Sequence, residues 1–224
     1  MKRLEVNNKI ITLYYDEDTI NDYLDVIIIN SFEENGQEIY NETKKICNNK
    51  FVLCSISNIN WNKDMSPWKI DKLFKSEEEY SGEANYYLDI LINEIIPKIK
   101  SIIKVSSISL IGYSLSGLFS IYSMYKTNIF KNIGSCSGSL WYPNIIEFIN
   151  NNELINKPNK LYISLGNKES NTKNKILSCV KDNTLKIVDY YKSKGINVIY
   201  EENEGNHFMD VNNRIAKCIK KLFE

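Results

Sequence analysis

Apolar and polar positions follow two periods along this chain, and the two take turns. Leu4 to Tyr15 alternates around Asn7-Asn8, which predicts a hairpin. Asp25 to Asn30 is a continuous β-branched run, the pattern of a strand buried on both faces. Further strands are expected at Phe51–Ser57, Ile108–Ile111, Asn132–Cys136, Leu161–Leu165 and Ile196–Tyr200. Helical spacing lies between them, around Glu38–Cys47 and over Ala84–Lys100, Leu115–Tyr125, Thr184–Lys194 and Asp210–Phe223. Pro97 is expected to kink or stop the second of these helices. Gly195 is expected to stop the fourth. Residues 58–82, with Trp61, Pro67 and Trp68, read as a long loop.

Strands alternating with helices predict an α/β fold. The expectation is a mostly parallel sheet with an N-terminal antiparallel hairpin and helices on both faces. The 224 residues carry no repeat and no Pro/Gly/Ser linker, so one domain over 1–224 is expected. The short span from Ile111 to His207 leaves no room for a large cap domain. In such a sheet the ligand sits at the carboxyl ends of the strands. The chemistry should then lie in the loops that follow them.

Composition removes several alternatives. Lys+Arg and Asp+Glu both number 28, so net charge makes no case for nucleic acid or an anionic membrane. The apolar run Val26–Ile29 is too short to span a bilayer, and MKRLEVNNKI has no apolar stretch of the signal-peptide kind. Cys47, Cys54, Cys136, Cys179 and Cys218 are scattered with no CxxC pair, so no metal site is expected. They read as reduced thiols of a cytoplasmic protein. The run Lys72–Glu79 and the cluster Lys217, Lys220 and Lys221 read as solvated faces.

One segment between a buried strand and a helix has the order needed for a nucleophile: Gly112-Tyr113-Ser114-Leu115-Ser116. A nucleophile elbow holds its Ser on a sharp strand-to-helix turn, with small residues two before and two after. Gly112 and Ser116 meet that demand for Ser114. If Ser116 were the nucleophile, Leu118 would take the second small position, and Leu is too large. The helix beginning at Leu115 points its first N–H groups at the elbow, so Leu115 is the expected first oxyanion donor. The second is expected from Ser57 or Asn58, after the Phe51–Ser57 strand.

His207 is the single histidine in the chain and follows the last predicted strand, in Glu204-Gly205-Asn206-His207-Phe208. It is the expected base, and the order Ser…acid…His fits. Glu169, after the Leu161–Leu165 strand, is the expected acid, with Asp182 as the alternative. Trp61 and Trp141 fall in loops after strands and, with Tyr113, are the expected pocket residues.

Four blocks together resemble the Putative esterase family of α/β-hydrolases. These are the elbow 112–118, Ser137-Gly138-Ser139-Leu140-Trp141-Tyr142-Pro143, Trp61-Asn62-Lys63-Asp64-Met65-Ser66-Pro67-Trp68, and Gly205-Asn206-His207-Phe208. That family includes enterochelin and other siderophore esterases, S-formylglutathione hydrolases and feruloyl esterase modules. The resemblance implies the α/β-hydrolase fold, Ser114 as nucleophile and His207 as base. It implies an acid at position 167 as well as at Glu169, and this chain has Asn167.

The expected activity is hydrolysis of a small-molecule ester through a Ser-His-acid triad and an acyl-enzyme, with no cofactor. Acyl transfer to an alcohol on the same scaffold, or a catalytically inactive binding module, are the competing readings. Asn167 is the feature that leans toward the inactive module.

Overall fold

A computed structural model describes residues 1–19, 21–32, 34–73 and 78–224. Its strands are β1 (Lys2–Val6), β2 (Lys9–Tyr14), β3 (Tyr23–Asn30), β4 (Phe51–Ser57), β5 (Lys104–Tyr113), β6 (Asn132–Cys136), β7 (Lys160–Gly166) and β8 (Val198–Asn203). They form one sheet in the order β1-β2-β4-β3-β5-β6-β7-β8. β1 and β2 are antiparallel, as is the β2–β4 pair, and the strands from β4 to β8 are parallel. Asn7 and Asn8 turn the first hairpin with φ of 49° and 59°. Such a two-residue turn needs positive φ at both centres, which Asn tolerates well.

The helices are α1 (Gly36–Ile46), α2 (Trp61–Asp64), α3 (Ala84–Ile90), α4 (Ile96–Lys100), α5 (Leu115–Ser123), α6 (Ile145–Asn151), α7 (Lys175–Ser178), α8 (Val180–Ser193) and α9 (Val211–Phe223). The β-branched run of β3 shows why the sheet needs helices on both sides. Val26 and Ile28 pack into one core with α3, α4, α5, α6 and α8, while Ile27 and Ile29 pack into a second with α1 and α9. Each buried isoleucine of this kind stabilises the fold by roughly 1.5–3 kcal/mol.

Pro97 does not end its helix. A single π-helical turn, Leu91–Ile95, joins α3 to α4 and places Pro97 in the first turn of α4. Widening the turn accommodates a ring that would otherwise collide with the carbonyl four residues back. Residues 58–82 are less irregular than expected. They hold α2, capped by the Asn60 side chain, and a short antiparallel bridge between Ile70 and Tyr80. Lys9 on β2 reaches Asp64, both largely buried, at 2.5 Å, which ties α2 and its Trp61 to the hairpin. Of the expected solvated run Lys72–Glu79, residues 72, 78 and 79 are exposed, and residues 74–77 lie outside the described residues. Residues 137–159, between β6 and β7, hold only α6 and its loops, and no cap is inserted there. Among the described residues no helix is long and apolar enough to cross a membrane.

Candidate active site

β5 ends on Tyr113 and α5 starts on Leu115, so Ser114 alone makes the turn, with φ 59° and ψ −125°. Gly112 is required by backbone. A Cβ there would lie 2.0 Å from the Ser116 carbonyl oxygen. Ser116 is fully buried, and its Oγ has no hydrogen-bond partner among the described residues. Ser139 N–H donates to the Ser114 carbonyl at 2.9 Å and Ser114 N–H to the Cys136 carbonyl at 3.2 Å, so the loop after β6 clamps the elbow. That explains the 137–143 block: at Gly117, a Cβ would sit 2.8 Å from the Gly138 Cα.

The loops after β5, β7 and β8 bring three side chains into line. His207 Nε2 is 3.0 Å from Ser114 Oγ, and His207 Nδ1 is 2.8 Å from Glu169 Oε2. This series of contacts can move the hydroxyl proton to the imidazole while the carboxylate holds the ring. The other oxygen of Glu169 accepts from Gly166 N–H at 2.7 Å and from Arg214 Nη1 at 3.2 Å. Burial alone would raise the Glu169 pKa. The hydrogen bond and charge of His207, with bonds from Ser137 and Gly166, outweigh it and hold the carboxyl below its ordinary 4.5.

Neither Asp182 nor position 167 takes this place. Asp182 is exposed on α8. Asn167 braces the neighbouring loop instead: its Oδ1 accepts from Gly205 N–H at 2.9 Å and its Nδ2 donates to Glu204 at 3.1 Å.

The predicted oxyanion donors separate. Gly117 and Leu118 N–H turn back onto the Ser114 carbonyl, while Leu115 is the first residue of α5 and lines a cavity with Ser114. Ser57 and Asn58 lie elsewhere. Ser57 Oγ meets Glu34, and the Asn58 amide donates to the Asn8 carbonyl at 2.6 Å, on the hairpin side. The physical reason is strand order. β3 stands between β4 and β5, so the loop leaving β3 is the one next to the elbow. Ser31 and Phe32 of that loop line a cavity with Ser114 and His207. Ser31 N–H is already bonded to the Ile56 carbonyl, at 2.8 Å.

Two clefts meet at Ser114. One, of about 470 Å³, is walled by Trp61, Tyr80, Trp141, Leu177, Val180 and Phe208. The other, of about 650 Å³, runs toward Phe32, Tyr113, Val211 and Ile215. Trp61 lines both, Trp141 the first and Tyr113 the second. Trp68 and Tyr142, by contrast, are structural. Trp68 Nε1 donates to the Pro143 carbonyl at 3.0 Å and Tyr142 Oη to the Trp68 carbonyl at 2.6 Å, joining the two aromatic loops.

Tyr113 does more than line a wall, because its hydroxyl donates to the His207 carbonyl at 2.7 Å. Arg214, on α9, is a site residue that no sequence motif marks. Its side chain is 2% exposed and touches Tyr113, Ser137, Glu169 and the Glu204 carbonyl. The signal was present: 211, 214, 215, 218, 219 and 222 form the apolar stripe of α9, and Arg214 is the charge placed on it.

A parallel sheet with this strand order, a serine on the β5–α5 turn and a histidine after β8 define the α/β-hydrolase fold. Within that class, the chain belongs to the Putative esterase family, whose model matches residues 32–210. It is 30% identical over 151 residues to the uncharacterized protein YbbA of Bacillus subtilis (strain 168), a stretch covering 65% of this chain and 60% of that one. The fold is similar to that of an IroE-like serine hydrolase from Shewanella oneidensis, with TM-score 0.80 and 18% identity over 99% of this chain and 79% of that chain. It is also similar to siderophore hydrolase EstB from Aspergillus nidulans, with TM-score 0.74 and 15% identity over 99% of this chain and 94% of that chain.

Proposed function

We propose that residues 1–224 form one domain that hydrolyses small-molecule carboxylic esters through a Ser114–His207–Glu169 triad. The observation that carries this reading is the pair of contacts on one imidazole, 3.0 Å to Ser114 Oγ and 2.8 Å to Glu169 Oε2. Ser114 Oγ bonds to the ester carbonyl carbon as its proton passes to His207 Nε2. The carbonyl oxygen then carries the charge, and the N–H groups of Leu115 and Phe32 are the donors we assign to it. Collapse breaks the ester C–O bond, and the His207 proton leaves with the alcohol. Water repeats the sequence on the acyl-enzyme and releases the acid.

Two clefts at one nucleophile fit an ester that is bulky on both sides of the carbonyl, and the aromatic wall favours an aryl group on one of them. The Aspergillus protein is named a siderophore hydrolase, so a siderophore ester belongs in a substrate panel beside aryl, short-acyl and thioesters. The five thiols are unpaired, four of them buried, in keeping with a cytoplasmic setting.

The test is Ser114→Ala. It should abolish p-nitrophenyl ester hydrolysis and fluorophosphonate labelling while the far-UV spectrum stays unchanged. Turnover that survives the substitution would remove Ser114 as nucleophile. A wild-type protein that neither labels nor turns over would favour the inactive binding module.

A further inference from the structure

Arg214 is a cation almost wholly enclosed by protein, and all the groups it meets belong to the loops that carry the site. Its Nη1 lies 3.2 Å from Glu169 Oε1, 3.2 Å from Tyr113 Oη and 3.1 Å from Ser137 Oγ. Its Nη2 donates to the Glu204 carbonyl at 2.7 Å. These partners follow, or end, β5, β6, β7 and β8. A buried charge is expensive unless it is paired and hydrogen-bonded, and these acceptors answer Nη1 and Nη2, while Nε has no partner among the described residues. The planar fork suits the task, since it reaches several acceptors in fixed directions where an ammonium would act as a point.

Two of the contacts bear on His207 from opposite ends. One holds the carboxylate that faces Nδ1. The other holds the Tyr113 hydroxyl, which donates to the His207 main-chain carbonyl. We propose that Arg214 is a positioning residue that fixes both the ring partner and the backbone of His207, so that Nε2 stays aligned on Ser114. The proposal rests on the triad reading given above.

A second consequence is electrostatic. The guanidinium shares the Glu169 charge with the imidazole. Without it the carboxylate charge would face the imidazole alone, and the acid limb of the activity profile would move to higher pH. The other titratable groups around this pair are Tyr113 on β5, Lys168 after β7, Tyr200 on β8, Glu204 after β8 and Asp210 before α9. Lys168 is paired with Glu204 at 3.4 Å, and both are well exposed.

The experiment is the pH dependence of fluorophosphonate labelling and of p-nitrophenyl ester turnover for wild type, Arg214→Met, Arg214→Lys and Tyr113→Phe. Arg214→Met should lower kcat on the order of 10²-fold with KM little changed, the penalty expected for a displaced base. Its acid limb should move to higher pH. Arg214→Lys keeps the charge but not the fork, so its limb should stay in place while kcat falls. Tyr113→Phe should lower kcat without moving the limb, and combining it with Arg214→Met should cost less than the product of the two effects. Should Arg214→Met fail to fold, the lysine and phenylalanine variants carry the test. Wild-type kcat in a folded Arg214→Met or Arg214→Lys would overturn the proposal, as would a uniform loss with an unmoved limb in Arg214→Met. The Ser114→Ala control keeps the two readings apart: activity surviving there removes the triad, whereas its loss beside an unaffected Arg214→Met removes this inference alone.

Discussion

The two sides of Ser114 are held by different means. On the base side, Glu169 and Arg214 are 4% and 2% exposed in their side chains and bonded to one another, with Gly166, Ser137 and Tyr113 around them. On the substrate side, Trp61 meets Phe32 edge to face, Trp141 rests on Tyr80 and Tyr142, and Phe208 stands 85% exposed beside the imidazole. Polar contacts in a dry setting are directional, and they fix one geometry. Ring contacts are weak and broad, and they tolerate different guests. The base side should therefore set the rate, and the aromatic side the choice of ester.

The sharpest way to break that division is Glu169→Gln. The amide keeps the shape but not the charge that orients His207, and kcat should fall on the order of 10⁴-fold with KM nearly constant in steady-state assays. A rise in KM as the main effect would mean that the carboxylate serves binding. Trp61→Ala should act in the opposite manner. It removes a ring shared by both clefts, so kcat/KM for aryl esters should drop about tenfold, with acetyl esters less affected.

Acid stability probes the base side again, with a smaller effect. The Glu169 carboxyl is held below 4.5 in the folded protein. Its contribution is therefore complete above pH 4.5 and is lost as pH falls through the lower folded value. Melting temperature should drop more steeply with acid in wild type than in Glu169→Gln, and equal slopes would mean that the pair adds nothing. The smallest effect belongs to Phe208→Ala. An exposed ring there should change stability by no more than about 0.5 kcal/mol in denaturant titration, while preference between bulky and small esters shifts a few-fold.

Strands were legible because their signal is local. Phe51–Ser57 and Asn132–Cys136 fall where the apolar runs put them, and the turn at Asn7-Asn8 forms as its residues require. Short helices were not. α2 and α7 begin at Asn60 and Asn174, whose side chains cap them, and in an Asn-rich chain such residues read as loop. Gly112, Ser114, Glu169 and His207 could be placed because each follows from its position relative to one strand. The proposed second oxyanion donor, Phe32 N–H, was not legible, because its nearness to the elbow depends on which strand lies beside β5. That neighbour is β3, not β4, and the order of strands across a sheet is not written in the order along the chain. Arg214 was hidden for a related reason, since a charge on an apolar stripe gains its meaning only from what the facing loops present.

The backbone of Ser114 carries a further consequence. Its φ of 59° with ψ of −125° is a region that residues with a side chain avoid, at a cost on the order of 1–3 kcal/mol. Glycine would sit there at ease. Ser114→Gly should therefore melt higher than the wild type while being inert. The fold thus spends stability at the proposed nucleophile, and on that reading a screen for thermal tolerance alone would tend to select a dead protein.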